Sequence, residues 1–371
     1  MEQRTKVLLL IPHLGGGGAE KVLSHLAQQL SRQKYELHLC LAAQVDPATE
    51  SFPPGVTIHR LRASRVRYAA FPLLGLVRRL RPQIIVSGMF HLNFLVLLLR
   101  PLFPRSTRIL VRQNGTVSTS LSQDNPPAFT RTLYRLLYRR ADRIICQTPA
   151  MGNDLAGELA IPRNLLSVLA NPLDIDAIRR AADLSSNRWP GRGPHLLAVG
   201  RLSREKGFDL LLDALPSVQE SFPFVHLLIA GAGPEESALK AQCHHLGLDP
   251  AVHFAGHVDD PCAYFPGASL FVLSSRHEGM PNALLEAAGG GLPLVALPAS
   301  DGVRDLLCGR PGAWIAANVS SHALAASLLQ ALASLEPGQR FPHPFIETFR
   351  IGPAIRAYED LIDDAIREPR P

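Results

Sequence analysis

The chain has 371 residues, of which 46% are hydrophobic and 19% charged, and its formal net charge is +6. This length corresponds to about two domains, each large enough to bury a core, and the hydrophobic content excludes a disordered chain. The charge is uneven, because residues 1–171 carry 22 Lys and Arg against 9 Asp and Glu, whereas residues 172–371 carry 16 against 23. A basic half joined to an acidic half indicates two domains with different partners.

Composition also excludes several classes of protein. The basic half holds few aromatic residues and no helix-turn-helix, zinc-finger or RNA-binding signature, so no nucleic-acid partner is expected. The five cysteines are widely spaced without a CxxC pair, which argues against a disulfide framework or a structural zinc site and for a reducing compartment. The apolar runs fall short of the roughly 18–20 residues that span a bilayer. We therefore expect a cytoplasmic protein.

Apolar segments of strand length alternate with helical segments from the first residues onward. A glycine loop follows the first strand candidate, and a helix is predicted from Ala19 to about Arg32. Short, fully apolar strands separated by helices are typical of a parallel sheet covered on both faces. The strands predicted in the first half are Lys6–Ile11, Glu36–Leu41, Val56–Arg60, Gln83–Ser87, Ile109–Arg112 and Arg143–Gln147.

The pattern restarts after a polar stretch, Asp183–Pro194, that is rich in Ser, Pro and Gly. Two successive series of strands and helices predict two doubly wound α/β domains. Ligands of such sheets bind outside the carboxyl ends of the strands, so the loops after strands and the cleft between the domains are the expected site. The strands predicted in the second half are His195–Val199, His226–Ala230, Val252–Phe254, Leu270–Leu273 and Pro293–Ala296.

Four glycines, Gly15–Gly18, lie between the first strand and the first helix. Glycine lets backbone N–H groups approach an anion closely, and the helix N-terminus adds its dipole. The spacing is not GxGxxG, because Glu20 or Lys21 stands where the third glycine belongs. The loop predicts close approach of a ligand, and a flexible turn is the alternative.

Two basic residues, Arg201 and Lys206, lie in the segment Gly200–Gly207 after the first strand of the second half. An arginine fork and a lysine point charge can together neutralise a diphosphate without a metal. Basic residues in a loop are otherwise most often simply solvated. A weaker candidate, Gly231–Pro234, follows the next strand.

The most specific segment is SSRHEGMPNALLE at residues 274–286. The predicted strand Leu270–Leu273 ends directly before this segment. An apolar helical run follows Pro281, a residue well placed in a first helical turn. Glu278 therefore lies in the loop and Glu286 two turns along the helix, as two carboxylates lining one pocket. The N–H groups at the start of the helix are available to oxyanions or hydroxyls. In the alternative interpretation, Glu278 caps the helix and Glu286 is a surface residue.

With these motifs in this order, the chain resembles the retaining GT-B glycosyltransferases of glycosyltransferase family 4, the glycosyl transferases group 1. The resemblance covers nearly the whole chain. It implies an acceptor-binding Rossmann-like domain at residues 1–172, joined by a returning helix at 350–371, and a donor-binding domain at 173–349, facing each other across a cleft. It rests on GGGGAEKVLSHLA, ADRIICQTPAMGNDLA, LANPLD, LLAVGRLSREKGFDLLLDAL, LLIAGAGPE and FAGHVDDPCAYFPGASLFVLSSRHEGMPNALLEAAGGGLPLVA.

The resemblance implies roles on the donor side. Arg201 and Lys206 would grip the diphosphate of a nucleotide sugar, and Glu286 would hydrogen-bond its ribose. Glu278 would contact hydroxyls of the donor sugar. Backbone groups along the following run would assist it: Gly279, Met280, Pro281, Asn282, Ala283 and Leu284.

Other roles fall in the first half. His91 matches a histidine near the transferred sugar, so the expected catalytic residues are His91, Arg201, Lys206 and Glu278. Gly17 and Gly18 would pack against the donor phosphate. The expected acceptor-side residues are Gly16, Arg112 and Asn114.

The implied reaction moves a hexose or N-acetylhexosamine, with retention, from a nucleotide sugar to a hydroxyl. UDP-sugars are the commonest donors in the family, and a glycan or polyprenyl-diphosphate-linked acceptor in cell-surface polysaccharide or lipopolysaccharide biosynthesis is expected. Arg201, Lys206 and a helix N-terminus would stabilise the leaving diphosphate, so no metal or other cofactor is expected. The DxD at Asp174–Asp176 falls in a turn after a strand and is interpreted as linker. Double displacement through Glu278 is the competing mechanism.

Two functions of other classes stay open from the residues alone. A nucleotide-binding oxidoreductase would use a glycine loop, but it lacks the GxGxxG spacing and an acidic residue at the end of the second strand. A catalytically silent carbohydrate-binding protein would not need the basic and acidic residues described above.

A membrane partner is expected for the segment Ser64–Arg81, which mixes five arginines with apolar side chains that include Phe71, Leu73, Leu74 and Leu76. This composition suits peripheral contact with an anionic inner leaflet of the plasma membrane. A core-packed helix with a basic outer face is the alternative.

Overall fold

The computed structural model describes residues 4–13, 17–43, 54–63, 66–118, 129–184, 189 and 191–368, in which strands and helices alternate. The strands are β1 (Thr5–Ile11), β2 (Tyr35–Ala43), β3 (Thr57–Ala63), β4 (Ile84–Ser87), β5 (Arg108–Arg112), β6 (Arg143–Cys146), β7 (Leu166–Val168), β8 (His195–Val199), β9 (His226–Ala230), β10 (Val252–Gly256), β11 (Leu270–Leu273), β12 (Leu294–Ala296) and β13 (Ala313–Ile315). The helices are α1 (Gly18–Gln29), α2 (Ala70–Leu80), α3 (Phe90–Leu99), α4 (Phe129–Tyr138), α5 (Pro149–Leu159), α6 (Ile175–Leu184), α7 (Phe208–Ser221), α8 (Glu236–His245), α9 (Asn282–Gly289), α10 (Asp301–Leu307), α11 (Ser321–Ser334) and α12 (Ile351–Arg367).

The chain divides into two units, Met1–Pro172 with Ile351–Pro371, and Leu173–Arg350. In the described part of the first unit, parallel strands form a sheet in the order β3-β2-β1-β4-β5-β6-β7. Its central strand β1 is fully buried from Val7 to Ile11, because helices cover both faces of the sheet. One core contains side chains of α2 to α5, and the other contains those of α1 and α12.

The C-terminal helix α12 belongs to the first unit. Its residues Ile355, Tyr358 and Ile362 share a buried cluster with Leu23 and Leu26 of α1. Apolar positions at helical spacing explain this packing.

The second unit is a parallel sheet in the order β10-β9-β8-β11-β12-β13, as far as it is described. The chain enters and leaves this unit on adjacent segments, since Leu173 N donates to Phe349 O at 2.8 Å and Leu173 bridges Arg350 in parallel. The predicted pair of doubly wound α/β domains is confirmed.

Two strands were not predicted, β7 and β13. Both have three residues, lie at a sheet edge and are only partly buried. A three-residue strand is shorter than the run of about 4–8 apolar residues that predicts a buried strand, so neither was recognised.

Within the residues described, no helix has both the length and the apolar character needed to cross a bilayer.

Candidate active site

The two candidate loops of the second unit follow adjacent strands. β8 ends at Val199 and β11 at Leu273, and the two strands pair in parallel at Leu196 and Leu270. Parallel neighbours end at the same edge of a sheet, so the segments 200–207 and 274–281 meet there.

An ion pair joins these loops. Lys206 Nζ lies 2.7 Å from Glu278 Oε1, and Ser275 Oγ donates to the same oxygen at 2.6 Å. The Glu278 side chain is 9% exposed and that of Lys206 24%, so the carboxylate needs these partners to offset its lost hydration. Within the described residues, no hydrogen bond reaches Glu278 Oε2. That oxygen is left to accept from a ligand hydroxyl.

Backbone contacts hold the loops together at close range. Ser274 Oγ donates to Lys206 O at 2.8 Å, and Arg276 N donates to Glu205 O at 2.8 Å. Gly207 has φ +63°, and a Cβ there would lie 2.0 Å from Ser274 O. Only glycine fits, because both the left-handed backbone and the close approach exclude a side chain.

Arg201 differs from Lys206. Its side chain is exposed, and its guanidinium makes no hydrogen bond or ion pair with the rest of the described chain. A free guanidinium beside the loop of Lys206 is available to an anion.

Helix α9 begins after Pro281, which occupies the N-cap position without a side-chain cap. The Glu278 carboxylate bonds Lys206 and Ser275 instead, so the interpretation of Glu278 as a helix cap is wrong. Glu286 is buried in α9, so the interpretation of Glu286 as a surface residue is also wrong. The run between them is buried at Gly279, Met280, Pro281 and Leu284 and half-buried at Asn282 and Ala283.

The weaker glycine candidate, Gly231–Pro234, has a packing explanation. Gly231 has φ +153°, and a Cβ there would lie 1.8 Å from Gly200 O. The glycine lets the loop after β9 pack on the loop after β8.

In the first unit, Gly15 and Gly16 of the glycine loop lie outside the described residues. Gly17 is the N-cap of α1, and Gly18 is the first helical residue. A Cβ at Gly17 would come within 2.0 Å of Oε2 of Glu20, a residue that is itself buried. Glu20 thus explains Gly17 by internal packing, and the phosphate contact of Gly17 and Gly18 stays a prediction.

Arg112 and Asn114 meet at the carboxyl end of β5. The Arg112 side chain is 1% exposed, and its guanidinium donates to Asn114 Oδ1 and, at 2.6 Å, to Asn171 Oδ1. Both acceptors are neutral amides, and Arg112 Nε has no partner among the described residues. Asn171 directly precedes Pro172, the last residue before the second unit.

A buried polar network continues from this point. Gln147 Nε2 donates to Asn114 Oδ1 at 3.2 Å, and Tyr138 Oη donates to Gln113 Oε1 at 2.8 Å. Burial raises the pKa of Tyr138 to about 12 and also raises the pKa of Tyr134. Both phenols therefore stay protonated donors.

His91 lies in the first turn of α3, exposed, with its ring in edge-to-face contact with Phe90 at 5.3 Å. Its predicted position after β4 is correct, and its predicted role near the sugar stays a prediction.

The DxD segment has structural partners. Asp174 Oδ1 accepts from Ala177 N at 2.8 Å at the start of α6, and Asp176 pairs with Arg350 at 3.0 Å. Across the residues that the structure covers, no group of three His, Cys, Asp or Glu is arranged to hold a metal ion.

Family models match both halves of the chain. The glycosyltransferase family 4 model matches residues 16–177, and the glycosyl transferases group 1 model matches residues 193–334. This chain belongs to the GT-B glycosyltransferases of that family. The resemblance and the activity class are confirmed, and the oxidoreductase alternative is wrong.

Curated relatives agree with this assignment. The chain is 27% identical over 315 residues to an N-acetylgalactosamine-N,N'-diacetylbacillosaminyl-diphospho-undecaprenol 4-alpha-N-acetylgalactosaminyltransferase of Campylobacter jejuni, covering 81% of this chain and 83% of that one. It is 29% identical to the lipopolysaccharide core biosynthesis glycosyltransferase LpsE of Rhizobium meliloti, covering 76% and 77% of the two chains.

Solved structures share the fold. Anabaena HepE in complex with UDP matches with a TM-score of 0.74 and 18% identity over 98% of this chain and 100% of that one. Sucrose-phosphate synthase from Thermosynechococcus elongatus matches with a TM-score of 0.83 and 16% identity, over 97% and 99% of the two chains.

Several residues of this glycosyltransferase's candidate site were missed from the sequence. Ser275 stands three positions before Glu278 at a strand end, so its place in the chain was a usable signal. Asp209 and Arg276 pair across 67 residues, and no local pattern indicates such a pair. No local pattern indicates Asn171 either, because its partner Arg112 is 59 residues away.

Proposed function

We propose that this glycosyltransferase moves a hexose or N-acetylhexosamine, with retention, from a UDP-sugar to a hydroxyl of a glycan or polyprenyl-diphosphate-linked acceptor. The observation that carries the proposal is the Lys206–Glu278 pair at the carboxyl edge of the second sheet, with Arg201 exposed on the same loop. A cationic pair for a diphosphate and a carboxylate for sugar hydroxyls are the groups that a nucleotide-sugar donor requires.

The relatives' names support the substrate classes. The Campylobacter jejuni relative is named for a diphospho-undecaprenol acceptor, and the Rhizobium meliloti relative is named for lipopolysaccharide core biosynthesis. HepE, which shares the fold, is described in complexes with UDP and with UDP-glucose. Cell-surface polysaccharide or lipopolysaccharide biosynthesis is the process that fits these names.

The chemistry centres on the leaving diphosphate. As the glycosidic bond to the phosphate breaks, negative charge grows on the phosphate oxygens. Arg201 and Lys206 stabilise that charge where it develops, and preorganised cations of this kind contribute most of such a rate enhancement. These side chains supply the positive charge, so the proposed reaction needs no metal.

Glu278 fits an acceptor of hydrogen bonds better than a nucleophile. Its Oε1 is bound by Lys206 and Ser275, so the carboxylate is held in one orientation and its nucleophilicity is lowered. The acceptor hydroxyl would attack from the face that the diphosphate leaves, which retains the anomeric configuration. Its proton would pass to the departing phosphate oxygen.

A ligand panel tests this function. UDP, GDP, ADP and their glucose and N-acetylglucosamine conjugates are compared by thermal shift, with and without EDTA. A ligand at 100 times its Kd adds about 2.7 kcal/mol of stability, so UDP should raise Tm clearly and equally in EDTA. The proton NMR coupling of the first transfer product reports retention. Absence of binding to every nucleotide would refute the proposal and favour a silent carbohydrate-binding protein.

A membrane contact is proposed for the first unit. Residues 51–123 contain 11 arginines and no Asp or Glu. Phe71 of α2 is 86% exposed and Phe129 of α4 is 67% exposed, and α3 packs against both helices. Exposed aromatic side chains together with an arginine-rich segment suit the cytoplasmic face of an anionic bilayer.

The structure narrows the predicted membrane segment. Ser64 and Arg65 lie outside the described residues. Leu73 and Leu76 are buried in the core, so they are not available to lipid. Phe71 and the exposed arginines Arg78, Arg79 and Arg81 remain as its contact groups.

Vesicle co-sedimentation tests the contact. Vesicles of phosphatidylcholine with about one-third phosphatidylglycerol should sediment the protein, and pure phosphatidylcholine should not. The double variant F71S/F129S should lose binding. F224S, at an equally exposed Phe of the second unit, is the control. The membrane proposal is refuted if the protein sediments equally with both kinds of vesicle and F71S/F129S sediments as much as the wild type.

A further inference from the structure

The backbone directly before Lys206 is held by one residue of the neighbouring loop. Arg276 Nη1 donates to Arg204 O at 2.8 Å, and Arg276 N donates to Glu205 O at 2.8 Å. These two carbonyls belong to the short turn Arg204–Lys206, directly before the Lys206 side chain.

The same guanidinium reaches past Lys206 to the start of α7. Arg276 Nη1 and Nη2 each lie 2.6 Å from one oxygen of the Asp209 carboxylate. A planar fork on a carboxylate fixes distance and orientation together, which a single contact does not. Asp209 is in the first turn of α7, so the fork is anchored to a helix.

Lys206 depends on this anchoring. Its side chain is a flexible four-carbon stem, and the position of its ammonium is set by where its backbone lies and by Glu278. Glu278 stands two residues after Arg276 in the same loop. Arg276 thus ties the backbone before Lys206 and the Asp209 side chain after it to the loop that holds Glu278.

We propose that Arg276 and Asp209 are positioning residues of the donor site, which hold Lys206 and Glu278 at the separation that a sugar diphosphate needs. The proposal rests on the donor function above. Arg276 is not proposed to touch the donor, because its charge is already matched by Asp209. Its effect on ligand binding passes through Lys206, and small displacements of such a group weaken preorganised binding strongly.

A thermodynamic cycle tests the proposal, with UDP as the probe and Kd measured by calorimetry. R276Q should weaken UDP binding about tenfold, R276K should restore part of the affinity, and D209N should resemble R276Q. In the Lys206→Ala background, R276Q should cost no further affinity, because the group that it positions is gone.

The control is K240Q, which breaks the exposed Lys240–Glu236 pair of α8 in the same unit; it should leave the UDP Kd unchanged. If Arg276 has only a structural role, R276Q would lower Tm and weaken UDP binding by the same factor in the wild-type and K206A backgrounds. That result overturns the proposal. So does an R276Q variant with wild-type affinity. If the wild-type protein binds no UDP, the proposed donor function fails instead.

Discussion

Lys206 and Glu278 are 72 residues apart in the sequence, yet Lys206 Nζ lies 2.7 Å from Glu278 Oε1. The pair neutralises two charges that are mostly buried. It also means that a diphosphate must compete with Glu278 for the lysine, or share it. The two residues should therefore respond differently to substitution.

Removal of the Glu278 carboxylate should separate binding from transfer. In E278Q and E278A, Lys206 loses its internal counter-charge, so UDP should bind as well as in the wild type or better. Transfer should fall at least about 100-fold, as for loss of a group that acts on the transferred sugar. Calorimetry with UDP and a donor turnover assay check this. H277A, at an exposed neighbour, is the control, and wild-type turnover in E278A would exclude this site.

Removal of either cation, Lys206 or Arg201, should weaken the binding of UDP. The affinity for uridine should be unchanged, since uridine has no diphosphate. K206A also leaves Glu278 buried without its ion pair, so the free energy of unfolding should fall by about 1–3 kcal/mol. R201A breaks no contact in the described chain and should leave urea denaturation unchanged. Equal loss of stability in the two variants would contradict the ion pair.

The sequence predicted the sheets well because buried parallel strands are continuous apolar runs. β8, β9 and β11 have the predicted bounds, and their ends place the loops of Arg201, Lys206 and Glu278 correctly. The edge strands β7 and β13 have only three residues each and were missed.

What could not be predicted is which side chains meet. Nothing near Arg276 indicates Asp209 as its partner, and nothing near Arg112 indicates Asn171, because these contacts arise from loop conformation and not from periodicity. In the glycine loop, by contrast, a sequence signal was present but has another explanation in the structure. Its composition predicts a phosphate contact, but Gly17 is already explained by the carboxylate of Glu20.

The buried guanidinium of Arg112 makes Asn171 important for stability. N171A leaves Arg112 Nη2 without its acceptor at 2.6 Å, and a buried donor that loses its partner costs about 1–3 kcal/mol. Urea denaturation should show this loss. N153A removes the acceptor of the exposed Arg163 and should change the free energy of unfolding by less than about 0.5 kcal/mol. An unchanged free energy of unfolding in N171A would show that water replaces the amide.

Thiol labelling should find one reactive cysteine. Cys308 is exposed, whereas Cys40, Cys146, Cys243 and Cys262 are buried. Burial raises the pKa of Cys40 and of Cys146 to about 12, so these thiols do not ionise at pH 8. Ellman's reagent should rapidly modify one thiol of the native wild-type protein and none of native C308S. In urea it should modify all five thiols of the wild type. Rapid labelling of C308S would contradict the packing.

The Asp209–Arg276 fork should make stability depend on acid pH. Burial alone would raise the pKa of Asp209, but hydrogen bonds and the charge of Arg276 bring it below the ordinary value. A carboxyl whose pKa is lower in the folded state stabilises the fold at pH values above its unfolded pKa of about 4. That contribution is lost as the pH falls through the folded pKa. Urea denaturation at pH 7 and near pH 3 should therefore show a smaller pH-dependent loss in D209N than in the wild type. D259N, at a fully exposed aspartate, should keep the wild-type dependence, and identical pH profiles for D209N and the wild type would show that the fork does not hold in solution.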